Sequence, residues 1–173
     1  MFHSLNVSTV YCNPMPQSNF LEDRLKSFFH LDIVKIERGN NGKPYAKDLP
    51  GSFNLSHSGK LTALYINPYS PSAGCDLQLV KGKYSEEEIA EFCFTPEERA
   101  FPGGFFLMWT LKEAYLKAKG LSVFDMPSFS VMPEIHRFRS WEVDTGDELY
   151  FLSVYPASEP LTLSSPYYLR EAL

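Results

Sequence analysis

Apolar positions recur along this chain with two different spacings, and the switches between them mark out its elements. Phe20 to His30 places Leu21, Leu25, Phe28 and Phe29 on one stripe, the three-and-four spacing of a helix packed on one side. Ile33 to Ile36 then reads as a short strand, followed by the turn-rich stretch GNNGKPYAKDLPGS. Strands follow at 53–57, 61–66 and 73–80, the last two separated by Asn67-Pro68 and Pro71-Ser72. Ser85 with Glu88, and Thr95 with Glu98, are capping boxes that open short helices, the second with Pro96 at its first helical position. Pro102-Gly103-Gly104 breaks the chain, a longer helix runs from about Phe105 to Lys119, and Gly120 stands where a left-handed cap belongs. Arg139 to Val143 and Leu149 to Tyr155 form a hairpin across Asp144-Thr145-Gly146-Asp147. Strands and helices mix without strict alternation, which predicts an α+β fold over a parallel doubly wound sheet.

Composition narrows the class. With 173 residues, 44% apolar and 21% charged, the chain suits one domain over 1–173 with one sizeable core. No apolar run approaches the ~20 residues that cross a bilayer. The start, MFHSLNVSTVYC, lacks the basic stretch and apolar run of a secretory signal, so the expected setting is cytoplasmic, away from membranes. Cys12, Cys75 and Cys93 form no CxxC pair, which argues for reduced thiols over a disulfide framework or zinc site. A net charge of −5 argues against nucleic acid as the main partner.

Three local patterns carry candidate chemistry. On the long helix, Met108, Leu111, Ala114, Tyr115 and Ala118 make one apolar face, while Glu113 and Lys117, four apart, share the opposite one. That pair is either an exposed ion pair or a carboxylate and an ammonium aimed into a cleft. On the strand GCDLQLV, Cys75, Leu77 and Leu79 face one way, Asp76 and Gln78 the other. Two oxygen-bearing side chains on one face suit either plain half-buried alternation or a hard cation such as Mg²⁺. The third pattern joins Asn41-Gly42-Lys43-Pro44-Tyr45 to FNLSHSG at 53–59, which crowds hydrogen-bonding side chains at the mouth of a strand. A glycine-lysine-proline turn offers approachable backbone and a cation, and Ser56 and His57 offer donors suited to phosphate or ribose. Neither serine has the glycine two residues before it that a nucleophile elbow needs, so a hydrolase of that kind is set aside. His3, His30 and His136 read as structural.

In this order, NGKPY, FNLSHSG, GCDLQ and WTLKEAYLKAKG resemble the 4′-phosphopantetheinyl transferases of the surfactin-synthetase-activating type. The resemblance spans Gly42 to Gly120, and its most specific part is W-x-x-K-E-x-x-x-K at Trp109 to Lys117. It implies two similar α+β halves about a pseudo-twofold axis, roughly 1–73 and 74–173, with coenzyme A in the cleft between them and a monomeric state. It further implies Mg²⁺-dependent transfer of phosphopantetheine from coenzyme A to a serine of an apo acyl or peptidyl carrier protein, with release of adenosine 3′,5′-bisphosphate. Carried over residue by residue, Ser56 and His57 would hold the 3′-phosphate, and Gly42, Lys43 and Pro44 would line the adenine pocket. Asp76 and Glu113, with Gln78, would ligate Mg²⁺. Lys117 would contact the pyrophosphate, Glu113 would take the proton of the carrier serine, and Lys112 would stand beside it at coenzyme A.

The chain departs from the family pattern twice. Position 78 is Gln where the family has Glu, so one charged metal ligand is missing. The family's arginine-rich stretch before the first helix is replaced by NVSTVYCNPMPQSN, which leaves Arg24, and behind it Lys26, to reach the 3′-phosphate. Two other readings stay open: a coenzyme A- or carrier-binding homologue without transfer activity, and a metal-dependent phosphohydrolase acting on coenzyme A.

Overall fold

The computed structural model describes residues 8–14, 19–39, 42–82 and 85–173. Among the described residues there are ten strands: β1 (Ser8–Pro14), β2 (Glu37–Arg38), β3 (Pro44–Tyr45), β4 (Ser52–Ser58), β5 (Leu61–Asn67), β6 (Gly74–Leu79), β7 (Arg139–Asp144), β8 (Leu149–Tyr155), β9 (Leu161–Ser164) and β10 (Tyr168–Glu171). The helices are α1 (Phe20–Phe29), α2 (Glu86–Cys93), α3 (Pro96–Arg99) and α4 (Gly104–Lys119), with 3₁₀ turns at Val123–Ser128 and Met132–Arg137. One four-stranded sheet runs β4-β5-β1-β9 and a second runs β10-β7-β8-β6, with β2 and β3 forming a separate ribbon. The α+β expectation holds.

Alternation along the strands builds the layers. Val10 and Cys12 of β1, Leu61, Ala63 and Tyr65 of β5, and Tyr150, Leu152 and Val154 of β8 share one buried cluster between the sheets. The opposite faces of β1 and β5, carrying Tyr11, Leu64 and Ile66, pack with Leu25 and Phe29 of α1. The opposite face of β8, with Phe151 and Tyr155, packs with Leu107, Met108, Leu111 and Ala114 of α4. The order is therefore helix, sheet, sheet, helix. β9, late in the chain, pairs in parallel with β1 and so forms the outer strand of the first sheet.

The predicted capping devices recur in three dimensions, the Ser85 box in its hydroxyl half alone. Thr95 and Glu98 exchange both capping-box bonds, the Ser85 hydroxyl accepts from the Glu88 amide, and Gly120 ends α4 in the left-handed region at φ 69°. The strand expected at Ile33 to Ile36 is absent. Val34 and Ile36 do pack against the α1 cluster, but Ile33 is 73% exposed and ladder pairing begins only at Glu37. Alternating burial without a neighbouring strand leaves extended chain, not sheet. Among the described residues no helix is long and apolar enough to cross a membrane.

Candidate active site

The site forms where β6 lies along α4. On α4, Trp109, Glu113 and Lys117 recur at four-residue spacing and so share a face. Asp76 and Gln78 come from the face of β6 turned away from the inter-sheet core, which holds Cys75 and Leu77. Lys117 Nζ donates to Asp76 Oδ1 at 2.6 Å and to Ser56 Oγ at 3.0 Å. Asp76 is 6% exposed, and its other carboxylate oxygen, Oδ2, is buried without a hydrogen-bond partner. The ion pair on α4 is thus not Glu113 with Lys117, as an exposed helix face would give, but Lys117 with Asp76 across to β6.

Electrostatics follow from this burial. Burial pushes the Glu113 carboxyl up to about 6, the negative charge of Asp76 adds to the rise, and Lys117 opposes it. Burial likewise raises Asp76 against the pull of Lys117. For Lys117, burial disfavours the charge, yet Asp76 outweighs it and the ammonium titrates above the ordinary lysine value. A carboxyl poised near 6 beside a fixed ammonium is a usual setting for a general base.

Gln78 is half-buried, with its amide nitrogen 3.3 Å from the Leu79 carbonyl oxygen. Together with Leu79, Ile89, Phe105, Phe106 and Trp109 it lines a cavity of about 540 Å³ one helical turn from Glu113. The oxygen donors Asp76, Glu113 and Gln78 fit a hard cation in type, and the orphaned Asp76 Oδ2 is the atom such an ion would satisfy. Only two of the three are carboxylates. No cluster of three His, Cys, Asp or Glu side chains of metal-holding form occurs among the described residues.

The glycine-lysine-proline turn borders a second hollow, of about 380 Å³, lined by Lys43, Pro44, Tyr45, Phe53, Ala118 and Lys119. Gly42 adopts φ +72°, which glycine takes without strain. The Lys43 cation does not point free into this hollow. It donates to the carbonyls of Lys117 at 2.5 Å and Ala73 at 3.1 Å, where it caps the last turn of α4 and ties it to the start of β6. Asn41, the first residue of that motif, lies outside the described residues.

The four remaining expected positions do not converge on one site. Ser56 and His57 are neighbours on a strand, so the pleat sends them to opposite faces: Ser56 is buried beside Asp76, and His57 is exposed. Lys112 does not reach the cleft. It is fully buried, bonded to Glu98 Oε2 at 2.9 Å and the Phe129 carbonyl at 2.7 Å, on the side of α4 that faces α3 and the 3₁₀ segment. Arg24 is exposed on α1, its guanidinium stacked 5.0 Å from the Tyr11 ring and 5.5 Å from the Phe20 ring. Sequence reasoning missed Glu98, which accepts from Lys112 and from the Thr95 and Val131 amides. Its capping-box position was visible; its partner fourteen residues on was not.

Reading polar residues in FNLSHSG as ligand contacts also missed their arrangement. Asn54 Oδ1, Ser56 Oγ and Ser58 Oγ accept in turn from the amides of Cys75, Leu77 and Leu79, at 2.7, 3.2 and 2.9 Å. Every second side chain of β4 thereby covers the open edge of β6 and joins the two sheets. The period-2 pattern N-x-S-x-S was the available signal.

Residues 72–155 match the family model described as the 4′-phosphopantetheinyl transferase superfamily. The chain is 37% identical over 100 residues to the 4′-phosphopantetheinyl transferase HetI of Nostoc sp., an alignment covering 50% of this chain and 42% of that protein. It is 30% identical over 124 residues to the 4′-phosphopantetheinyl transferase AcpT of Salmonella typhi, covering 65% and 64% respectively. Against AcpT of Escherichia coli the identity is 32% over 106 residues, covering 56% and 54%. The chain spans about half the length of the curated relatives it matches.

Proposed function

From the match of residues 72–155 to the 4′-phosphopantetheinyl transferase superfamily, we propose that this chain moves 4′-phosphopantetheine from coenzyme A to a serine hydroxyl of an apo acyl or peptidyl carrier protein. The observation that carries the proposal is the cluster of buried Asp76 with half-buried Lys117 and Glu113 at the β6–α4 contact, with Glu113 held at about 6 and Asp76 Oδ2 unsatisfied.

In this reading the serine oxygen forms a bond to the phosphorus bearing pantetheine, and the phosphoanhydride bond to adenosine 3′,5′-bisphosphate breaks. The serine proton passes to Glu113, directly or through water, because a hydroxyl is a poor nucleophile without a base. Lys117 faces the charge that grows on the leaving phosphate, and Asp76 holds Lys117 in place. Mg²⁺, held by Asp76 and Glu113 with the Gln78 amide as a neutral third donor, would supply charge neutralisation of the pyrophosphate. The hollow beside Lys43 and Pro44 would take the adenosine end, and His57 with Arg24 would meet the 3′-phosphate on the α1 side of the first sheet. The protein would act as a monomer in the cytoplasm, without nucleic acid or membrane.

The test is to incubate the protein with coenzyme A, Mg²⁺ and a panel of apo carriers and follow intact carrier mass. Addition of one phosphopantetheine is expected. The ammonium of Lys117 has two of its three donors taken by Asp76 and Ser56, and with the neutral Gln78 this favours a second reading, a coenzyme A-binding homologue without transfer. Coenzyme A binding with no carrier adduct would select it, and cleavage without carrier would indicate a hydrolase.

A further inference from the structure

The geometry assigns Ser56 a task different from phosphate binding: we propose that it is a positioning residue that fixes the Asp76–Lys117 pair, and that only its neighbour His57 is available to coenzyme A. A serine hydroxyl has one proton to donate and two lone pairs to accept. In Ser56 all three are engaged. Oγ donates to Asp76 Oδ1 at 3.0 Å, and accepts from Lys117 Nζ at 3.0 Å and from the Leu77 amide at 3.2 Å. Nothing remains for a ligand, and at 5% exposure a ligand does not reach it.

The same hydroxyl fixes the plane in which the Asp76 carboxylate is held. Ser56 and Lys117 both bind Oδ1, which leaves Oδ2 unpaired. A rotated carboxylate would lose the short contact to Lys117. Ser56 also anchors this arrangement to the backbone of β6 through Leu77, one residue beyond Asp76, so the pair moves with the strand that carries it. This role rests on the transferase reading only for its catalytic consequence; the geometry of Lys117 is testable without it.

The seam supplies its own control. Asn54 makes the equivalent bond one rung earlier, to Cys75, and touches neither Asp76 nor Lys117. Three variants are compared at a temperature well below their melting points: Ser56→Ala, Ser56→Thr, which keeps a hydroxyl, and Asn54→Ala. Coenzyme A and 3′-dephospho-coenzyme A are titrated calorimetrically into metal-free protein, and hydrogen exchange of the Lys117 ammonium is followed by ¹H–¹⁵N correlation. Ser56→Ala is expected to leave both affinities unchanged while speeding Lys117 exchange. Its kcat should fall roughly 10- to 100-fold at unchanged KM for coenzyme A, the usual cost of losing a group that orients a metal-holding carboxylate. Ser56→Thr should restore both Lys117 exchange and kcat, and Asn54→Ala should move neither. Selective loss of coenzyme A over its 3′-dephospho form in Ser56→Ala would return Ser56 to the phosphate and overturn the assignment. Equal effects of Asn54→Ala on Lys117 exchange would reduce Ser56 to one more rung of the seam. Should the wild type modify no carrier, the transferase reading fails while the exchange and titration arms still decide the role of Ser56.

Discussion

Gly74 lies directly against the backbone of Ala114: a Cβ at position 74 would come within 1.9 Å of the Ala114 carbonyl oxygen and 2.7 Å of the Ala118 amide nitrogen. Backbone cannot swing aside as a side chain can, so the start of β6 requires glycine for α4 to approach. That approach is what brings Asp76, two residues along the strand, to Lys117, one turn along the helix.

Gly74→Ala should therefore separate strand from helix. Overpacking in a closed core costs about 1–3 kcal/mol, and a backbone clash belongs at or beyond the top of that range. Urea unfolding of the variant is the measurement. A change below the bottom of that range would mean that α4 does not seat on β6 this closely.

Glu113→Gln should raise stability at neutral pH while lowering turnover. The folded-state value near 6 stands above the ordinary 4.5, so wild-type stability increases as pH falls through 6 toward 4.5 and is lowest above 6. A glutamine removes that penalty. The variant should gain up to about 2 kcal/mol at pH 7.5 in metal-free buffer, and the gain should vanish by about pH 4.5. Turnover should drop by at least about 100-fold, as loss of a general base does. Melting curves at both pH values check the first effect, and a gain that grows on acidification contradicts it.

His57→Ala should weaken coenzyme A by roughly 1.5–3 kcal/mol, the value of a charged hydrogen bond, and spare 3′-dephospho-coenzyme A. Titration calorimetry with the two ligands separates this outcome from a general loss of fold. Equal losses would remove His57 from the 3′-phosphate.

Lys112→Ala should act on stability and not on ligand affinity. It leaves Glu98 buried and ionised without its cation, which typically costs about 3–5 kcal/mol. Coenzyme A affinity per folded molecule should match wild type. A selective loss of affinity in a variant of normal stability would place Lys112 at the ligand after all.

What the sequence made legible was local. The apolar stripe of α4, the Thr95 capping box, the Gly120 cap and the β7–β8 hairpin each depend on contacts within a few residues, and each recurs in the structure. The motif positions on β6 and α4 were legible by resemblance, and they lie inside the segment that matches the family model. Facing directions were harder. For Glu113 and Lys117 the pattern left open an exposed ion pair or a pair aimed into a cleft, because a helix pattern cannot show that β6 covers the face opposite the apolar one. Lys112 looked like a neighbour of Glu113 in function, but adjacent helical positions diverge by about 100°, and its direction leads to Glu98. Ser56 and His57 were grouped for one phosphate although strand alternation alone separates them.

The pairing of β9 with β1 also bears on how the protein is made. Leu161–Ser164 completes a sheet whose first strand is Ser8–Pro14, so the register that closes that layer joins residues 153 positions apart, as in Ser8 opposite Leu161. During synthesis the first half emerges long before that strand exists, and β1 waits with a bare edge. Folding dominated by such distant pairings is slow and leaves unpaired edges open to wrong partners meanwhile. Closing the first sheet therefore depends on this long-range pairing, and shielding an unpaired β1 edge during refolding is expected to raise the yield of native protein.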